Sequence, residues 1–78
     1  MRIQITQEAL IVLRQPETPT GVRQAVAALT INPRPPDAAP VTDRPGRYEF
    51  FESGFWIVCQ SATDNLEEIV IVTAIQPN

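Results

Sequence analysis

Gly46-Arg-Tyr-Glu-Phe-Phe51, Glu52-Ser-Gly54, Phe55-Trp-Ile-Val-Cys-Gln60, Ser61-Ala-Thr-Asp-Asn65 and Leu66-Glu-Glu-Ile-Val-Ile-Val-Thr-Ala-Ile75 follow one another without interruption. Three runs rich in aromatic and β-branched residues are parted by two short polar stretches holding Gly, Ser, Asp and Asn. That pattern predicts a three-stranded meander. Tyr48, Phe50, Phe51, Phe55 and Trp56, all the aromatic residues of the chain, fall in its first two strands. The remaining residues are too small to build a core alone, so the rest of the chain must pack onto this sheet.

Alternation assigns the faces. In Phe55 to Gln60, Trp56 and Val58 share one side, and Phe55, Ile57 and Cys59 the other. In the last strand, Ile69, Ile71, Thr73 and Ile75 point one way, and Val70, Val72 and Ala74 the other. Both sides are apolar. Helices cover one, and the second needs a further cover, either the proline-rich connector or another molecule. Trp56, Val58, Val70 and Val72 are the candidate interface.

Upstream, Arg2 to Ile5 alternates and predicts a short edge strand. Thr6 is placed to cap a helix with Glu8 in its first turn. Ala9 to Leu13 is wholly apolar and reads as a short buried helix or as a second strand. Pro16 ends either one. Thr18-Pro19 reads as an N-cap followed by a first-turn proline, opening a helix to about Ile31. Val22, Ala25, Val26 and Leu29 form its apolar stripe, with Arg23, Gln24 and Ala27 facing away. Residues 33–45 contain five of the eight prolines. An irregular connector wrapped on the domain is expected there, and connectors of that length are often functional.

With 78 residues the chain has room for one core. It buries about 60–65% of its unfolded surface, so a partner or self-association is expected to help it. An apolar fraction of 44% is that of a folded protein. No apolar run is long enough to cross a bilayer, and the opening Met-Arg-Ile-Gln-Ile has no secretory h-region, so no membrane association and a cytoplasmic location are expected.

The basic residues are six arginines, against nine carboxylates, for a net charge of −3. Overall charge thus disfavours nucleic acid, leaving only a local arginine cluster. Arg34, Arg44 and Arg47 are the candidates for such an anion-binding patch. The alternative for them is ion pairing with Asp37, Asp43 and Glu49. Cys59, the one cysteine, reads as a core residue, since the chain contains no His to activate it. Asp64, Glu67 and Glu68 fit no calcium loop and read as a solvated turn. Trp56 could stack on a base, anchor a partner or pack in the core. No metal-spacing motif, phosphate loop or nucleophile–base pair is present, and no cofactor or metal is expected.

The ordered series of elements resembles the RelE/ParE superfamily of toxin–antitoxin toxins. Ile3-Gln-Ile-Thr-Gln-Glu-Ala-Leu10 is similar to its opening strand and helix. Asn32-Pro-Arg-Pro-Pro-Asp37 is similar to its turn after the helices, and Pro45-Gly-Arg-Tyr48 to its lead-in to the sheet. Phe55-Trp-Ile-Val58 and Ile69-Val-Ile-Val-Thr-Ala-Ile75 resemble later strands. The resemblance covers residues 1–78 as one domain. It implies an α+β fold of order β-α-α-β-β-β, an antiparallel meander with an N-terminal strand and two helices on one face. It further implies a growth inhibitor held silent by a cognate antitoxin. Such proteins cleave messenger RNA on the ribosome or inhibit DNA gyrase.

Cleavage would need cations at the scissile phosphate and a proton-transfer group. The chain departs from the pattern here. Glu49, Phe51, Glu52 and Ile57 stand where the family carries arginine, and Gln76-Pro-Asn78 closes the chain without a titratable side chain. Arg34, Arg44, Arg47 and Tyr48 remain as candidate phosphate or partner contacts. Weak or lost ribonuclease activity is therefore expected. The alternative is a non-enzymatic interaction module of the same fold, acting as a homodimer.

Overall fold

The computed structural model describes residues 2–78, apart from the side chain of Asp64. Its elements in chain order are β1 (Arg2–Ile5), α1 (Gln7–Arg14), α2 (Thr20–Ala28), β2 (Ala39–Pro40), β3 (Arg47–Glu52), β4 (Phe55–Asp64) and β5 (Glu67–Pro77). One five-stranded sheet has the spatial order β1-β5-β4-β3-β2. The meander β3-β4-β5 is antiparallel, whereas β1 lies parallel to β5, with Ile3 in register with Val70. Both helices pack on one face, giving a two-layer α+β domain.

Between the layers lie Ala9 from α1, and Val22 and Val26 from α2 with Leu29 just after it. They meet Tyr48, Phe50, Ile57, Cys59, Val70, Val72 and Ile75 from the sheet. The 9–13 segment is helical, but only Ala9 is buried, and Ile11 is half exposed. Thr6 caps α1 as its sequence position predicts, accepting from the Ala9 amide at 3.3 Å. The same hydroxyl donates to the Thr73 carbonyl at 2.9 Å, fastening the helix start to β5.

That bond explains a departure from simple alternation. Val58 pairs with Ala74, but Cys59 pairs with Val72, so Thr73 is an extra residue in the ladder. Its carbonyl is bound by Thr6, and its own hydroxyl donates to the Val58 carbonyl at 3.2 Å. Beyond such a bulge the side-chain alternation changes phase. Ile75 therefore joins Val70 and Val72 under the helices, where regular alternation puts it on the opposite side. Val70 and Val72 are core residues, 1% and 0% exposed, and are not available to a partner. Trp56 and Val58 lie on the other face, so the four candidate interface residues divide between the two sides.

Four further expectations change. Ser61 to Asp64 is strand and not turn; the hairpin closes through Asn65 and Leu66 alone, both at positive φ as two-residue hairpins favour. The tighter turn is possible because Ser61, Ala62 and Thr63 find partners in Val70, Ile69 and Glu68. Thr18 does not cap α2. It is buried, and its hydroxyl donates instead to the Val12 carbonyl at 2.6 Å, closing the end of α1. α2 starts at Thr20 without a side-chain cap and ends at Ala28, short of Ile31, in a series of turn hydrogen bonds. The connector contains the two-residue strand β2, with Ala39 and Pro40 opposite Glu49 and Tyr48. It lines the β3 side of the core through Ala38 and leaves Phe51 and Trp56 on the opposite face exposed.

Candidate functional site

The outer side of the connector and the start of β3 enclose a hollow of 660 Å³. That is the size range of small-molecule sites. Arg34, Arg44, Arg47 and Tyr48, the four residues singled out from the sequence, all line it, together with Glu68 at the start of β5. The chain between Val41 and Arg47 shapes one wall. The Val41 amide donates to the Arg47 carbonyl at 2.9 Å, the Arg44 amide to the Val41 carbonyl at 3.2 Å, and the Arg47 amide to the Arg44 carbonyl at 2.9 Å. These bonds fold the seven residues into a double turn that presents Arg44 at its tip.

Gly46 makes the turn possible. Its φ of +80° suits glycine, and a Cβ there would stand 2.8 Å from Gln60 Nε2. The Gly46 carbonyl accepts from the Ser61 amide at 2.9 Å, which anchors the turn to β4. Gln60 then ties the neighbourhood together. Its Oε1 accepts from Arg47 Nε at 3.3 Å, and its Nε2 donates to the Pro45 carbonyl at 3.3 Å. Arg47 is thus held on one edge, and its terminal nitrogens make no hydrogen bond among the described residues.

Arg34 is positioned by Tyr48. The tyrosine ring is buried, 2% exposed, and its hydroxyl donates to the Pro33 carbonyl. The Arg34 guanidinium lies over the same ring at 4.5 Å from its centroid. A cation over an aromatic face gains about 0.5–1 kcal/mol at an exposed site. Tyr48 therefore orders the connector from below and Arg34 from beside it. Burial pushes the phenol up to about 12, with the Cys59 and Glu68 charges acting the same way and Arg34 opposing. A phenol so engaged is unsuited to proton transfer near neutral pH, and its role is to hold Arg34. Cys59 is fully buried, and burial lifts its thiol to about 12, which makes it a core residue and not a nucleophile.

Among the described residues, no carboxylate oxygen lies within 4.0 Å of the guanidinium nitrogens of Arg34, Arg44 or Arg47. The ion pairs to Asp37, Asp43 and Glu49 that the sequence allows are not formed. Three arginines line one hollow, and Glu68 is the single acidic residue in its lining. Arrays of this kind bind anions, because each planar fork can take two oxygens of a carboxylate or phosphate.

Arg23 behaves differently, and its role was not visible in the sequence. Placed on the outer side of α2 by helical spacing, it folds back onto the end of α1. Its Nε donates to the Leu13 carbonyl at 2.9 Å, Nη1 to Thr18 at 2.8 Å and Nη2 to Gln15 at 2.6 Å. The only available signal was its position shortly after a helix end, whose last carbonyls need donors.

On the open face of the sheet, Phe51 and Trp56 pack edge to face with centroids 5.2 Å apart. Trp56 Nε1 donates to Asn78 Oδ1 at 3.2 Å. Trp56 is therefore a partly exposed surface residue and not part of the core. The side chain of Asp64 lies outside the described residues, and Glu67 and Glu68 belong to β5. No described helix is long and apolar enough to cross a membrane. No family model, no curated protein and no solved structure matches this chain.

Proposed function

We propose that this chain is a RelE/ParE-like growth inhibitor, the toxin of a toxin–antitoxin pair, acting through anion recognition at the arginine hollow and held silent by a cognate antitoxin. The observation that carries the reading is the gathering of Arg34, Arg44 and Arg47 in one concavity of a strand–helix–helix–sheet domain. The α+β element order supports it, since apart from the two-residue β2 it follows the order that the resemblance implies. The local positive charge stands against a net charge of −3 for the whole chain.

Ribonuclease activity is weak or lost in this reading. Fixed cations can stabilise a phosphorane-like charge, but the proton must also move. Tyr48 is committed to the Pro33 carbonyl and held protonated, and the chain has no histidine. Binding of a ribosomal, messenger RNA or gyrase target without rapid cleavage fits these residues. The test is induced expression in a bacterial host, with growth and total RNA followed over time. Growth should stop on induction, resume on co-expression of the antitoxin, and continue with Arg44→Ala/Arg47→Ala. Unchanged growth on expression of the folded wild-type chain would sink the toxin reading.

A second reading is favoured by one specific observation. Phe51 and Trp56 leave an apolar patch on the uncovered face, which suits a non-enzymatic interaction module working as a homodimer. Light scattering separates the two: a stable dimer lost on Trp56→Ser, in a chain that never slows growth, favours the module.

A further inference from the structure

We infer, building on the anion-site reading above, that the preferred ligand of the hollow is a phosphomonoester, such as a nucleoside monophosphate or the phosphorylated end of a nucleic-acid strand. Charge matching points there first. Arg34, Arg44 and Arg47 bring three formal positive charges to the lining and Glu68 one negative, leaving two positive charges. A phosphomonoester carries about −1.5 to −2 near pH 7. A phosphodiester carries one negative charge and leaves the hollow unbalanced.

The number of donors points the same way. A terminal phosphate offers three unesterified oxygens, whereas an internal phosphate in a chain offers two. The three arginines stand at separate points of the chain: early in the connector, within the 41–47 turn and at the first residue of β3. All three residues line the same hollow, which suits a terminal group with three free oxygens better than an internal one with two. Thr42 and Ser61 add neutral hydroxyls to the same lining. Pro33, Pro40 and Pro45 give it apolar ground for the organic part of the ester. The Arg34 guanidinium lies over the Tyr48 ring and Arg34 stays exposed, so its planar group is available for a base to pack upon.

The experiment is calorimetric titration of the full chain at constant ionic strength. The probes are AMP, adenosine, and a short single-stranded RNA made with either a 5′-phosphate or a 5′-hydroxyl. AMP should bind at least about tenfold more tightly than adenosine, because one charged hydrogen bond of about 1.5 kcal/mol already gives that factor. The 5′-phosphorylated strand should bind more tightly than its 5′-hydroxyl twin. Arg44→Ala should lose about tenfold or more in AMP affinity with an unchanged melting temperature. If the two strands bind equally and both depend on Arg44, the hollow reads the diester backbone; the monoester assignment then falls and the anion site stands. If adenosine equals AMP, or if no probe binds the wild-type chain, both fall. Growth inhibition is read separately, so its failure would not be confused with either result.

Discussion

Arg23 and Arg44 carry the same side chain on the same small domain, and they meet opposite surroundings. Arg23 spends its donors on three backbone carbonyls at the junction of the two helices. Arg44 stands at the tip of a turn, its side chain without a hydrogen bond or ion pair among the described residues. One guanidinium completes the fold; the other adds no hydrogen bond to it and belongs to a residue that lines a hollow with two more arginines. A charged group kept without a partner contributes little to stability, and in a chain with nine carboxylates partners were at hand. The difference separates structural arginines from those available to a ligand.

The contrast is broken most directly at Arg23. Removing it strands the Leu13 and Thr18 carbonyls, while the Gln15 carbonyl keeps the Thr18 amide, so Arg23→Ala should cost about 2–3 kcal/mol. For a domain of this size that is a large share of total stability. Urea denaturation would register it as a lower midpoint with an unchanged slope. A variant as stable as the wild type would mean that water replaces the clamp and that the two kinds of arginine do not differ.

Gly46 sharpens the comparison from the other region. Gly46→Ala places a methyl at positive φ against Gln60, and should cost about 1–3 kcal/mol. Because Gln60 also holds Arg47, ligand affinity should fall in this variant even where the protein is fully folded. Arg23→Ala, measured in conditions where it is folded, should bind as the wild type does.

Alkaline pH tests the support beneath Arg34. Tyr48 has a folded pKa of about 12 against 10.0 in the open chain, and Cys59 about 12 against 9.0. Both folded values are raised, so the protonated forms stabilise the native state. That stability is complete below about pH 9 and is lost progressively as the pH rises towards 12. Tyr48→Phe should remove the part of the loss between pH 10 and 12, at the expense of the bond to Pro33. Thermal melts of both chains across that range would show it. The Cys59 thiol should also resist alkylation at neutral pH until the chain unfolds. The smallest effect belongs to Arg44→Ala, expected within about 0.5 kcal/mol of wild-type stability, as for a surface side chain with no partner.

How much of this could be read from the residues depends on the range of the interactions. The meander, the N-terminal strand, the second helix and the Thr6 cap follow from local patterns and are present, whereas the pattern of residues 9–13 left helix and strand open and the chain forms α1 there. The phase of β5 does not follow from its own sequence. Thr73 looks like any other position of an alternating strand, and the extra residue is set by Thr6, which lies 67 positions away. Thr18 failed as a cap for a related reason, since its hydroxyl has a nearer carbonyl at Val12 once α1 has formed. The hollow is intermediate. Its arginines stand out because cations are few, but their convergence needs Gly46 docked on Ser61 and Pro33 bound by Tyr48, contacts that no local pattern encodes.

The decisive measurement is the melting temperature in pyrophosphate against chloride at matched ionic strength, for the wild-type chain and for Arg44→Ala. A ligand at about 100 times its dissociation constant stabilises by about 2.7 kcal/mol, which in a domain of this size raises the midpoint by about ten degrees or more. Such a rise in the wild type, largely absent in Arg44→Ala, is the expected result. Equal shifts in both chains, or none in either, would show that the three arginines do not form an anion site.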